Sequence, residues 1–134
     1  MQLDFGNSLS ELKNLARALE AFGEQEGLSP ETIGVLNLAL DELFTNIVQH
    51  SYGPGKEGTV SLRLSKANGS VRAVLQDTGP AYNPFEAPEP DTKSSIESRP
   101  VGGLGVYLVK KLMDDWEYRR DADQNTIILH KNLA

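Results

Sequence analysis

The chain has 134 residues, 39% hydrophobic and 24% charged, with a formal net charge of −6 and no cysteine. That much apolar material supports one ordinary core without staples, and the acidic balance argues against general nucleic-acid binding, leaving proteins or small molecules as partners. The lack of thiols excludes a disulfide framework and a thiolate metal site, and no apolar run approaches the roughly 18 residues of a membrane span. With no signal peptide in view, the expectation is a cytoplasmic protein, no membrane partner, and a single domain over residues 1–134.

In chain order, residues 1–6, MQLDFG, alternate apolar and polar and predict a short edge strand with Leu3 and Phe5 inward. Ser8 followed by Glu11 is a capping-box pattern, and Leu12, Leu15, Leu19 and Phe22 then mark an amphipathic packing helix that ends near Gly27. The next stretch, SPETIGVLNLALDELFTNIVQHSYG over 29–53, organises the chain. Ser29 suits an N-cap and Pro30 the first helical position, while Gly53-Pro54-Gly55 supplies the stop. Ile33, Leu36, Leu40, Leu43, Phe44 and Ile47 fall in one apolar stripe at helical periodicity. Glu42 and Asn46 sit one turn apart on a second face, with Val35 and Ala39. Polar groups set into an otherwise apolar second face point to a cavity.

Beyond the 53–58 turn region, Val60, Leu62 and Leu64 alternate with polar residues as in a half-buried strand. Asn68-Gly69 provides the positive φ angles of a tight hairpin, so 70–76 should return antiparallel with Val71, Ala73 and Leu75 inward. Asp77 shares their parity. Its carboxylate is therefore aimed at the apolar side of the sheet, where it needs a hydrogen-bonding partner. Residues 84–101 hold four prolines and little core material, and read as a long loop, either a lid over 86–101 or a disordered segment. Val101-Gly102-Gly103-Leu104-Gly105 then opens a helix to about Met113, with Leu104, Leu108 and Leu112 on its buried face. Its glycine-rich start leaves N–H groups open to an anion. Two strands, WEYRR and TIILHK, close the chain around a polar turn from Asp121 to Asn125. Helices early and antiparallel strands late predict an α+β fold: a two-layer sandwich with helices on one face of a mostly antiparallel, mixed sheet.

Each polar feature has a structural alternative. Glu42 and Asn46 suit a solvated helix edge, Asp77 can cap the turn after its strand, and the glycines can be turn chemistry. Together they supply the parts for gripping a nucleoside triphosphate. Asp77 would accept from the adenine amino group, the glycine-rich helix start would hold phosphates, and Asn46 would offer one neutral oxygen to magnesium.

The segments LDELFTNIVQHSYG, DTGPAYNPFE and GGLGVYLVKKLMDD, in that order, resemble the N box and the two glycine boxes of the GHKL ATPase superfamily, and more narrowly the bacterial anti-sigma factor serine/threonine kinases. The resemblance implies Glu42 as general base, Asn46 as magnesium ligand and Asp77 as adenine reader. It makes Gly79 the close-approach residue beside the base, and Gly103, Leu104 and Gly105 the phosphate-binding segment. Ser51 stands where Ala is usual and Tyr82 where Phe is frequent; neither touches the implied nucleotide or metal roles. His50 is read as a structural group, Lys110 and Lys111 as a solvated helix face, and Trp116 and Tyr118 as sheet core. The length leaves no room for a phosphoacceptor helical pair or a transducer domain, which selects the anti-sigma kinases within the superfamily. The implied activity is phosphoryl transfer from ATP, with Mg2+, to a serine or threonine of an anti-anti-sigma (STAS-type) antagonist. The implied partners are that antagonist, a sigma factor sequestered when the antagonist is phosphorylated, and a second copy in a homodimer. A partner-sequestering module that binds ATP without catalysis, and an ATPase in which Glu42 activates water, remain the alternatives.

Overall fold

The computed structural model describes residues 1–52, 58–86 and 103–133. Strand β1 (Gln2–Gly6) leads through a short 3-10 turn (Leu9–Glu11) into α1 (Leu12–Glu26) and α2 (Pro30–Asn46), which winds on as a π-helical turn (Ile47–Tyr52). The hairpin β2 (Thr59–Ala67) and β3 (Ser70–Asp77), a second 3-10 turn (Pro84–Glu86), α3 (Gly103–Leu112), and the hairpin β4 (Asp115–Asp121) and β5 (Gln124–Asn132) follow. The sheet order is β1-β2-β3-β5-β4. Every ladder among the described residues is antiparallel, so the parallel pair implied by a mixed sheet is not found there.

Local sequence explains the joints. Ser29 Oγ accepts from Thr32 N–H at 3.1 Å, and Pro30 opens α2 as its fixed φ favours. Gly27 ends α1 in the left-handed region at φ 68°, and Leu28 N–H then reaches back to Gly23 O at 2.8 Å. Asn68 and Gly69 both take positive φ, as the two-residue hairpin requires. At the start of α1 the capping box is displaced: Ser8 Oγ accepts from Ser10 N–H, while Glu11 reaches past Ser8 to accept from Gly6 N–H at 2.7 Å.

The inward residues of the sheet, among them Val60, Leu62, Leu64, Val71, Ala73, Leu75, Ile127 and Leu129, share one core with Leu15, Leu19 and Phe22 of α1 and Leu36, Leu40, Leu43 and Phe44 of α2. Phe5 meets Phe44 edge to face, which seats β1 on α2. Leu3 is only half-buried. In α3 the buried stripe is Val106, Val109 and Met113 beyond its end; Leu108 is exposed and Leu112 half-buried, against expectation. A spacing of four drifts by about 40° per step, so Leu108 and Leu112 leave the stripe that steps of three and four preserve. Trp116 and Tyr118 face inward but are half-buried, because β4 is the sheet edge. The expected stop at 53–55, most of the expected lid and the side chain of Leu104 lie outside what is described.

Leu40, fully buried between sheet and helices, gauges this packing. Leu40→Ala should cost about 2–5 kcal/mol in urea unfolding; a loss below about 1 kcal/mol would mean that the α2 stripe is not the core seam.

Candidate active site

The second face of α2 meets α3. Ala39 is fully buried there, and one turn on, Glu42 lies half-buried against the first turn of α3. A Cβ at Gly105 would come within 2.6 Å of Glu42 Cδ, so the carboxylate fills the space a side chain would need. A side chain at 105 would displace the flexible end of Glu42. Because α3 starts at Gly103, the N–H groups of its first turn, which have no carbonyl partner within the helix, gather at the end where Glu42 sits. Asn46, the last residue of α2, is 7% exposed, and its buried Oδ1 has no hydrogen-bond partner. A buried acceptor without a donor costs about 1–3 kcal/mol, and a cation or a ligand donor would remove that cost.

Past Asn46 the helix widens into the π-helical turn, and His50 is exposed. Its ring stacks on Tyr82, with centroids 4.7 Å apart and planes at 14°. The stack joins the end of α2 to the loop that follows Asp77.

Asp77 ends β3 and is 3% exposed. Its Oδ1 accepts from Gly79 N–H at 2.9 Å, which is the capping alternative realised, and from Asn125 Nδ2 at 3.0 Å. Asn125 lies directly opposite Asp77 in the β3–β5 register and is 1% exposed. Its amide also donates to Pro80 O at 2.9 Å and to Gly79 O at 3.4 Å, and its Oδ1 accepts from Tyr82 N–H and the Tyr118 hydroxyl. Arg120 Nη1 donates to Gly79 O at 2.7 Å. Sequence reasoning placed Asn125 in a polar turn and missed it. The parity that turned Asp77 inward, carried back from Ile127 and Leu129, would have found it.

The fold therefore brings Glu42 against Gly105, and binds Asp77 and Gly79 into a second group with Asn125; the His50–Tyr82 stack links the α2 end to that group. Lys110 is not a solvated residue: it is half-buried and donates to Phe85 O at 2.8 Å, tying the Pro84–Glu86 turn to α3. Lys111 is exposed beside the Tyr107 ring. A cavity of about 490 Å³, lined by Gly27, Ser29, Lys66 and Asn132 among others, contains none of these groups.

The model of the histidine kinase-like ATPase domain matches residues 5–131. The chain belongs to that family. Within it the chain groups with the serine/threonine-protein kinases: it is 31% identical over 99 residues to BtrW of Bordetella bronchiseptica, across 74% of this chain and 70% of BtrW. The serine-protein kinase RsbW of Bacillus subtilis is 31% identical over 102 residues, across 72% of this chain and 63% of RsbW. The chain thus spans about two thirds of the length of these relatives. Among solved structures, the RsbU and RsbW domains of a Mycobacterium tuberculosis protein superpose with TM-score 0.66 at 18% identity, covering 99% of this chain and 32% of that one. The catalytic domain of histidine kinase ThkA gives TM-score 0.58 at 12% identity, with 99% and 98% covered. These two likenesses establish the shared family fold of helices on one sheet face.

Asp41, the neighbour of Glu42 in α2, carries a pH signature. Asp41 Oδ1 is buried without a partner, and burial, then the neighbouring Glu42 charge, raises the Asp41 pKa from its ordinary 3.8. With the folded pKa above the unfolded one, the native state holds the proton longer, so stability falls as pH rises through the window between the two values and stays lower above it. Asp41→Asn should therefore melt higher than wild type at neutral pH, by a modest margin at this half-buried position, and the margin should vanish below about pH 4. Equal melting temperatures at pH 7 would show that Asp41 ionises without penalty.

Proposed function

We propose that the chain works as one ATP-binding domain that transfers the γ-phosphoryl group of ATP to a serine or threonine hydroxyl of a protein partner. The observation that carries this is the seam between α2 and α3, where Glu42 occupies the Gly105 gap and Asn46 keeps a buried, unpartnered oxygen one turn away. Glu42 would accept the proton of the attacking hydroxyl, and the first turn of α3, Gly103, Leu104 and Gly105, would bind phosphate oxygens through backbone N–H groups. Asn46 fits magnesium as a single neutral oxygen ligand. No group of three acidic, histidine or cysteine side chains among the described residues could hold a metal, so phosphates and water would complete its shell. Bound there, magnesium would neutralise charge on the phosphates. Asp77 would accept the adenine amino group, with Gly79 beside the base.

Likeness to BtrW and RsbW supports the rest of the reading. The phosphoryl acceptor is an anti-anti-sigma, STAS-type antagonist, the sequestered partner is a sigma factor, and the protein acts as a cytoplasmic homodimer that makes no direct nucleic-acid contact. No helix among the described residues is long and apolar enough to cross a membrane.

Two measurements test this. Asp77→Ala should weaken ATP binding by about 10- to 100-fold in calorimetry, the value of a hydrogen bond to a charged group; unchanged affinity in a folded variant would sink the adenine assignment. In phosphate transfer from labelled ATP to a candidate antagonist, Glu42→Ala should lose about 10²- to 10⁴-fold in rate while ATP affinity stays within a few-fold. Asn46→Ala should lose magnesium-dependent binding and turnover together. Transfer by Glu42→Ala at the wild-type rate would refute the base, and wild type that binds ATP and a sigma factor but phosphorylates no antagonist would make this a sequestering module.

A further inference from the structure

We infer that Asn125 is a positioning residue that holds the Asp77 carboxylate in the orientation that reads a purine amino group, and so sets the base selectivity of the site. The inference rests on the ATP-binding reading above.

The amide of Asn125 has no orientational freedom. Nδ2 faces three oxygens, Asp77 Oδ1, Pro80 O and Gly79 O, while Oδ1 faces the Tyr82 N–H and the Tyr118 hydroxyl. A flipped amide would set its oxygen against three acceptors and its nitrogen against the Tyr82 N–H, so the hydrogen-bond pattern allows one assignment. This fixed amide and the Gly79 N–H both bond to Oδ1 of Asp77. With Oδ1 committed to two donors, the carboxylate cannot turn about its last bond without breaking both, and Oδ2 becomes the oxygen offered to an incoming amino group.

The site is buried at both residues, which raises what is at stake. Asp77 is 3% and Asn125 1% exposed, so water does not readily replace a lost donor. Tyr118 extends the arrangement into β4, and Arg120 from the same strand holds the Gly79 carbonyl. The edge hairpin β4–β5 thereby fixes a carboxylate that belongs to β3. A residue that merely tied the hairpin to the loop would support every nucleotide equally. One that aims Asp77 matters only for a base that carries an amino group where Asp77 reads it.

The experiment compares ATP with inosine triphosphate, whose base has a carbonyl in place of that amino group. Wild type, Asn125→Ala, Asn125→Ser, Tyr118→Phe and Asp77→Ala are titrated with both by calorimetry, and folding is checked by melting curves. Asn125→Ala should lose about 10-fold in ATP affinity with little change for inosine triphosphate, so that the selectivity ratio collapses towards that of Asp77→Ala. Asn125→Ser, with one donor left, should retain an intermediate ratio and stands in if the alanine variant does not fold; Tyr118→Phe should shift the ratio in the same direction by less. Folded Asn125 variants that keep the wild-type ratio, or lose both nucleotides equally, overturn the inference while Asp77→Ala still collapses selectivity. If Asp77→Ala leaves the ratio unchanged as well, the adenine assignment itself is wrong and this inference falls with it.

Discussion

The site depends on α2 burying two faces at once. Leu36, Leu40 and Leu43 are at most 1% exposed in the core shared with the sheet, and Ala39 is fully buried on the face turned to α3. A helix packed on one side can settle by rotating a little; packed on two, it is held in azimuth by both interfaces. Close-packed interiors transmit even small volume changes, so the direction of Glu42 and Asn46 follows from side chains that take no part in the chemistry.

A second constraint acts at the end of the sheet. Asp77 and Asn125 are direct cross-strand partners that point into an apolar layer, an expensive pairing unless every donor and acceptor is met. Here the strand ends supply what is missing, since the turn after β3 presents the carbonyls of Gly79 and Pro80 to the amide. With both ends of its amide engaged, Asn125 has one arrangement, and Oδ1 of Asp77 is held within it.

Much of this was legible in the sequence because the signals were local. Ser29-Pro30, Gly27 and Asn68-Gly69 fix joints through backbone preferences that need no tertiary help, and strict alternation revealed β2, β3 and the inward carboxylate of Asp77. What escaped depends on distant partners. Nothing in IVQHSY announces a π-helical turn, and the His50–Tyr82 stack joins residues 32 positions apart. Lys110 reads as a surface cation until Phe85 O is brought beside it. Asn125 was hidden by its company, since Asp121, Asp123 and Gln124 made it look like a turn residue when its parity belonged to the strand. In α3 the leucines at 108 and 112 were expected inward, but Val106, Val109 and Met113 hold the phase that is buried.

The gap at Gly105 makes two positions evolve as one. A glycine in a helix forgoes about 0.5–1 kcal/mol relative to alanine, so random drift towards stability favours a methyl group there. Against that, the added carbon would land where the flexible end of Glu42 lies, so the acid would have to move aside. Stability alone would tolerate that shift, but the position of the carboxylate would not survive it. The two positions are therefore coupled through function, in the non-additive way expected of residues in contact: what sits at 105 decides where the acid at 42 can sit.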